Sequence, residues 1–291
     1  MPNYSFLKEA KVYIVYGTTK KQLDISSVSF SQTFTEETRS VKTLHNQNNM
    51  FEGSVINTAN PANFEITTNL LIEDNSKIVF DRLTDTNSFH LYISTESDVF
   101  KLENCVITNG TINIERLRPL SLSISGQASK LIPSSSVPSG MTLRTTSSSR
   151  TYNLNKDLFV SLGGASISDH LVSVSIELQN EVKWIPYKTV NTASGTRYPT
   201  QYTIDKKVLA GNIRRYLNDD TESASQSYGL NQSLRIKAGT NIGGLFKGID
   251  FNSNNCSITQ RIQTGTVFMK NTDWRMVQNP SSISGVLTYF T

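Results

Sequence analysis

Residue types that usually carry chemistry are scarce in this chain. Its 291 residues include two cysteines, Cys105 and Cys256, and three histidines, His45, His90 and His170. No Cys-x-x-Cys exists, and no histidine has a second His or a Cys at metal-ligand spacing, so the sequence gives a zinc-type site no support. Nucleophilic catalysis by Ser or Cys needs a positioned His. His45 falls in a long polar loop, His90 in or beside a strand and His170 in a turn, and all three read as surface or edge histidines. A disulfide needs Cα atoms within about 7 Å. Cys105 and Cys256 hold matching positions in two separate segments, so they read as two small buried hydrophobes.

Charge is also sparse, at 18% of residues, with a net charge of +4 and an isoelectric point near 8.9. Lys and Arg are scattered. The densest pair, Arg214-Arg215, reads as the solvated face of a short helix rather than a nucleic-acid patch. The carboxylate pairs Glu36-Glu37, Glu73-Asp74 and Asp219-Asp220 read as solvated loops, since neighbours on a strand point apart. No apolar run approaches 18 residues, which excludes a membrane-spanning helix. Residues 1–20 hold Lys8, Glu9, Lys11 and Lys20 around a short apolar run, so no secretory leader is expected. Gly163-Gly164 and Gly239 to Gly244 fit neither phosphate-binding glycine motif and read as turns and bulges. Trp184 and Trp274 read as core or interface aromatics. No catalytic, cofactor-binding or metal-binding residue is assigned, no cofactor is expected, and the chain does not read as an enzyme.

Ser, Thr and Asn fill the gap, a composition that suits strands and polar loops rather than helical bundles. The chain also contains itself twice. Lys11 to Gly17 followed by Ile25-Ser-Ser-Val-Ser-Phe30 recurs as Lys156 to Gly163 followed by Leu171-Val-Ser-Val-Ser-Ile176. Asn104-Cys105-Val-Ile-Thr recurs as Asn255-Cys256-Ser-Ile-Thr, and Ser123 to Gly126 as Ser282 to Gly285. The order is kept while the offsets drift through 145, 151 and 159 residues. That pattern marks a duplicated domain with loop insertions, not a solenoid, whose period would be about 20–50 residues. The expected organisation is domain 1 over residues 1–131, a Ser/Pro-rich linker over 132–155, and domain 2 over 156–291. The linker holds Pro133, Pro138, Gly140 and two Ser triplets, and fully extended it reaches about 80 Å.

Strands are expected at Val12–Tyr16, along Val28, Phe30 and Phe34, and at Phe64–Thr68, His90–Ile93, Val99–Leu102, Cys105–Ile114 and Leu120–Ile124. Residues 35–62 are polar and too long for an ordinary loop, which suggests an extended hairpin with a sticky Met50-Phe51 patch. Ser76–Leu83 reads as a short helix. In the second half, strands are expected at Leu158–Leu162, Leu171–Leu178, Leu234–Ile236, Cys256–Ile262, Thr266–Met269 and Val286–Phe290, with 186–201 as the equivalent polar loop. Asp205–Leu217 reads as a helix, with Leu209, Ile213, Tyr216 and Leu217 at helical spacing and Asp205 as its N-cap.

This organisation resembles bacteriophage tail tube proteins. The carriers are the β run, the long polar hairpin after Phe34, the short helix, and the segment from Phe100 to Gly126, FKLENCVITNGTINIERLRPLSLSISG, which is similar to the closing strands of such domains. The resemblance covers both halves. It implies a mainly β fold: two tandem β-sandwich or half-barrel domains, each with one short helix, whose sheets join those of neighbours into a tube wall. Duplication departs from the single-domain hexameric pattern and implies a trimeric ring with pseudo-sixfold symmetry. The loops at 35–62 and 186–201 would brace adjacent rings, and stacked rings would make a channel for DNA during genome ejection.

Implied partners are further copies of the chain, tape measure, tail terminator and baseplate or tail-tip proteins, and a sheath as a further candidate. Double-stranded DNA would pass without specific binding. The implied location is the virion tail, after synthesis in the host cytoplasm and with no membrane insertion. Two alternatives stand beside this reading. One is a tail-tip or baseplate protein of the same fold that initiates the tube. The other is a non-viral carbohydrate-binding or adhesin module of two β-sandwiches.

Overall fold

Alternating apolar and polar residues recur through both halves, and the structure turns nearly all of them into antiparallel strands. This computed structural model describes residues 9–41, 51–70, 75–115, 117–143, 156–185, 198–217, 227–277 and 283–291. The first half runs β1 (Lys11–Tyr16), β2 (Thr19–Gln22), β3 (Ile25–Ser31), β4 (Phe34–Val41), β5 (Phe51–Ala59), β6 (Ala62–Asn69), α1 (Lys77–Asp85), β7 (Phe89–Ser94), β8 (Val99–Glu115), β9 (Ser121–Ala128) and β10 (Lys130–Ser134). The second runs β11 (Asp157–Leu162), β12 (Ala165–Ser166), β13 (Leu171–Ile185), β14 (Gln201–Tyr216), β15 (Ser227–Ile242), β16 (Leu245–Gln263), β17 (Met269–Met276), a 3-10 turn at Ile283–Gly285, and β18 (Leu287–Phe290).

The two halves share one strand order. In the first, β2, β1, β7, β8, β9, β6 and β3 are successive neighbours; in the second, β12, β11, β15, β16, β17, β14 and β13. β10 borders β8 as β18 borders β16. The halves do not sit apart. β13 pairs with β8, from Ser173 opposite Glu115 to Gln179 opposite Asn109, and one sheet crosses the whole chain. Eight neighbouring strands form a continuous band in the order β3, β6, β9, β8, β13, β14, β17, β16. The long strands β8 and β16 carry the chain from this band into a second layer built on β7, β1 and β10, and on β15, β11 and β18.

The core fills the space behind the band and is continuous between the halves. Ile66, Leu122, Ile124, Ile112, Ile114, Val174, Ile176, Leu178 and Ile213 point into it from the band, and Val12, Ile14, Leu91, Ile93 and Ile236 from the second layer. Helix α1 seats Val79, Phe80 and Leu83 in the same core, with Phe80 against Tyr289 of β18 at 5.6 Å between ring centroids.

The repeated Asn-Cys dipeptides now have a structural reason. Register breaks between Phe89 and Leu91 opposite Cys105, and between Gln232 and Leu234 opposite Cys256. Both halves therefore bulge at the same place. Asn104 takes up a left-handed φ of +52° there, a conformation Asn tolerates better than most residues. Both cysteines are fully buried free thiols.

The helix expected over Asp205–Leu217 is instead strand β14, so α1 is the single α-helix among the described residues, not one of two. Leu209 and Ile213 are four apart, a spacing that one strand face satisfies as well as one helix face. Pairing with β13 along its length and with β17 decides the matter. Asp205 is no cap; it is the extra residue of a bulge between the Glu181–Lys206 and Val182–Ile204 pairs. Arg214 and Arg215 consequently face opposite sides, Arg214 exposed and Arg215 buried directly opposite Lys270. The Ser282 to Gly285 repeat is not equivalent to Ser123–Gly126. Ile283–Gly285 form the 3-10 turn, whereas Ser123–Gly126 lie inside β9, whose counterpart is β17. The start of the expected linker is strand, with Ile132 to Ser134 belonging to β10, while 144–155 lie outside the described residues. Residues 35–62 do form an extended hairpin, β4 with β5. Its tip with His45 and Met50, and residues 186–197 of the second loop, lie outside the described residues.

Candidate assembly site

The side chains weighed for chemistry are dispersed. His90 sits in β7 and its Nδ1 accepts the Asn104 backbone N–H at 3.1 Å. Burial lowers its pKa, the Lys101 charge adds to this, and Glu103 opposes it. His170 occupies a turn with φ +58°. Burial raises both thiols, most strongly that of Cys105, whose Sγ donates to the Leu102 carbonyl at 3.4 Å. Glu36 and Glu37 follow one another in β4, while Glu73, Asp74, Asp219 and Asp220 lie outside the described residues. Gly163, Gly164, Gly243 and Gly244 have positive φ in turns, as expected. Among the described residues no group of His, Cys, Asp or Glu could hold a metal ion, and no helix is long and apolar enough to cross a membrane.

What the fold does bring together are surfaces. Alternation puts Ser27, Ser29 and Ser31 of β3 on the band's outer face. Glu65 and Thr67 of β6, Ser121, Ser123, Ser125 and Gln127 of β9, and Thr111, Asn113 and Glu115 of β8 follow. The face continues through Ser173, Ser175 and Glu177 of β13, Asn212 and Arg214 of β14, Asp273 and Arg275 of β17, and Thr259 and Arg261 of β16. Neighbours on it bond across strands: Thr67 to Ser123 at 3.3 Å, Asn109 to Ser125 at 3.3 Å, Asn212 to Asp273 at 2.6 Å, and Arg261 to Asp273. The result is a hydroxyl- and amide-rich wall whose few charges are acidic on β6, β8 and β13 (Glu65, Glu115, Glu177) and mostly basic on β14, β17 and β16 (Arg214, Arg275 and Arg261, with Asp273 among them). Sequence reading missed this face, although serines at every second position of three strands were its signal.

The second surface is the seam between the halves. Ile176 lies opposite Ile112 and Val174 opposite Ile114, all buried. Leu178 lies opposite Gly110, where a Cβ would come within 2.8 Å of a Leu83 methyl, so α1 rests directly on the seam. Asn180 donates to the Ile107 carbonyl at 3.0 Å, and Trp184 Nε1 to Gln127 Oε1 at 3.0 Å. Farther out, Ser129 donates to the Pro199 carbonyl at 2.5 Å, and the Lys207 ammonium to Thr86 Oγ1 at 3.2 Å. The β13–β14 arm of the second half thus lies across the first half. In the first half the corresponding arm, β4 with β5, forms a separate two-stranded sheet.

The arrangement joins strand edges within the chain and presents a polar wall. No curated protein sequence matches the chain. A family model described as the Bacteriophage Baseplate Tube Protein Family matches residues 2–289, nearly the whole chain. With that match added to the mainly β fold, the chain belongs to the bacteriophage baseplate tube protein family and is a structural component of the phage tail or baseplate tube.

Proposed function

We propose that the protein forms trimeric, pseudo-hexameric rings that stack into the tube at the baseplate end of the tail, with the polar face of the band lining the DNA channel. The observation that carries this is the seam. Two equivalent halves, corresponding to the domains at 1–131 and 156–291, stand side by side in one continuous sheet, so both fit one ring rather than successive rings. Three chains would supply six halves and close a band of about 24 strands, wide enough for an aqueous lumen. A basic lining would hold phosphates through counterion release. The wall is mostly Ser, Thr, Asn and Gln, and its three arginines are outnumbered by four carboxylates, so it offers duplex DNA little such grip, as passage during genome ejection requires. Membership of a baseplate tube family favours the baseplate reading over a main tube built from hundreds of copies. Membership of the family supports other tail and baseplate proteins as partners, and in this reading they would sit at the two ring faces.

Electron microscopy of the purified protein tests the proposal. End-on averages with a central hole, six similar lobes and true threefold symmetry support it. A monodisperse monomer at high concentration refutes self-assembly into rings. Counting copies per virion by quantitative mass spectrometry separates one or a few rings from a full-length tube.

A further inference from the structure

The outer face of the second layer, turned away from the core, differs between the halves. Register aligns Tyr13, Tyr92, Lys101 and Ile132 across β1, β7, β8 and β10. The same row in the second half is Phe159, Lys237, Asp250 and Thr288 across β11, β15, β16 and β18. Tyr13 and Tyr92 point away from the core and are still buried, at 8% exposure each, whereas Phe159 is 41% exposed. In the next row Lys11, Ser94, Val99 and Ser134 correspond to Asp157, Gly239, Gly248 and Phe290.

The first half carries its own cover. Ser134 ends β10 at one border of the layer. Thr142 bonds at the other border, where its N–H donates to the Lys20 carbonyl at 2.9 Å and its carbonyl accepts from the Gln22 N–H at 3.0 Å. Four strand spacings of about 4.8 Å separate the borders, and the chain between these residues reaches about 27 Å, which leaves little slack for a detour. The core fills the inner face, so residues 135–141 cross the outer one as a strap. Val137, Pro138 and Met141 are half-buried, while Ser135, Ser136, Ser139 and Gly140 are exposed, so the apolar side chains of the strap turn towards the layer. Lys20 Nζ fastens it, donating to the Ser139 carbonyl at 2.9 Å.

Among the described residues no segment crosses the second half in this way, and a shallow trough lies there instead. Gly239 and Gly248 face each other with no side chains, and a Cβ on either would collide with a carbonyl oxygen, that of Lys247 or that of Ala238. Phe159 and Lys237 stand on one side of this floor and Phe246 on the other. Phe290, 44% exposed, closes the β18 end and meets Phe246 edge-on at 6.0 Å. The Lys237 ammonium lies 4.1 Å from the Phe246 ring centroid.

We infer that the trough is a docking site for an extended, uncharged segment of a different protein of the particle, lying across β18, β16, β15 and β11 as residues 135–141 lie across the first half. Paired glycines in a sheet mark a place where another backbone comes close. The segment is uncharged because residues 131–143, which cover the equivalent face, carry no charge. The ions of the trough are also already engaged. Arg235 holds Asp250 through two bonds at 3.1 and 2.7 Å, and Asp157 accepts from Asn241 at 2.9 Å. The segment comes from a different protein because this chain's own strap is committed to its first half. The inference rests on the equivalence of the halves and stands apart from the ring reading.

Photo-cross-linking in the virion tests it. Particles carrying p-benzoylphenylalanine in place of Phe159 or of Phe290 are irradiated, digested and read by mass spectrometry. The same group in place of Tyr13 should mark residues 135–141 of its own chain. Hydroxyl-radical footprinting of the unaltered protein, purified and in virions, gives a readout that needs no variant. Oxidation of Phe159 should fall about fivefold in the virion, as its 41% exposure drops towards the 8% of Tyr13. Both probes should mark one uncharged segment of another virion protein. Equal oxidation in the two forms overturns the inference, as do marks on this chain, on a second copy or on a charged surface of a partner, whether or not rings form. Tyr13 marks outside 135–141 remove the precedent and overturn it as well.

Discussion

Phe64 on β6 lies over Gly126 on β9, and Trp274 on β17 lies over Gly211 on β14. These are the same pair of positions in the two halves, with the aromatic ring and the glycine exchanged between strands. At Gly126 a Cβ would come within 2.7 Å of the Phe64 ring, and at Gly211 within 2.7 Å of the Trp274 ring. What duplication has kept is one ring's volume per cross-strand pair, not a residue type at a position. Each ring then finds its own second partner: Phe89 edge-on at 6.1 Å for Phe64, and Phe251 stacked at 4.6 Å for Trp274. Packing density constrains sums over neighbours, so either strand can carry the bulk.

Breaking that equivalence should give the largest effect. Gly126→Phe alone places two rings in the space of one and is expected to cost about 3 kcal/mol. Adding Phe64→Gly removes the ring but not the contact of a Cβ at position 126 with the Val106 backbone carbonyl, so it should recover only part of the loss. Urea unfolding of both single variants and the double variant checks this as a double-mutant cycle. The seam comes next. Ile176→Ala leaves a cavity beside Ile112 and is expected to cost about 3 kcal/mol. Phe30→Ala, at the equivalent position of β3, which among the described residues pairs with β6 alone, should cost clearly less.

A smaller contrast is the bulge. Its first-half copy carries His90, and register puts Ser233 at the same place in the second. Because the folded state lowers the His90 pKa, it prefers the neutral imidazole. The associated stability is complete above the ordinary His value of about 6.5 and fades as pH falls through the lowered folded value. Between pH 7.5 and 5 the urea midpoint should therefore drop less in His90→Ser than in the parent. The smallest effect is expected at the second arm. There the exposed Asp205 carboxylate accepts from Lys183 at 2.5 Å, a bond that holds its pKa below the usual range. Exposed pairs contribute little, so Asp205→Asn should leave the melting temperature unchanged by calorimetry.

Most strand positions and the repeated segments were legible because alternation and repeated dipeptides are local signals; Thr266–Met269 is instead largely the bend before β17, whose body up to Met276 was missed. Helix α1 was legible within two residues for the same reason. The segment 205–217 was not, because Leu209 and Ile213 fit both periods and only contact with β13 and β17, up to about 60 residues away, selects the strand. The seam was out of reach altogether. Nothing in Asn109–Glu115 or Ser173–Gln179 announces that these two segments pair, since pairing depends on where β9 and β14 put their edges. The Asn-Cys repeat could be seen, but its cause could not, because a bulge belongs to two strands at once.

The seam between β8 and β13 also changes how an assembly would start. Contacts between separate subunits form at a rate that falls with dilution, whereas a contact written into one chain forms at the fixed local concentration set by its tether. In the ring proposed above, every second joint is of this kind. Joining three chains then takes two independent encounters against five for six single-domain subunits, and the dependence on protein concentration is correspondingly shallower. A component needed in few copies at one place on a particle can thereby nucleate where a more abundant, single-domain protein would have to accumulate first.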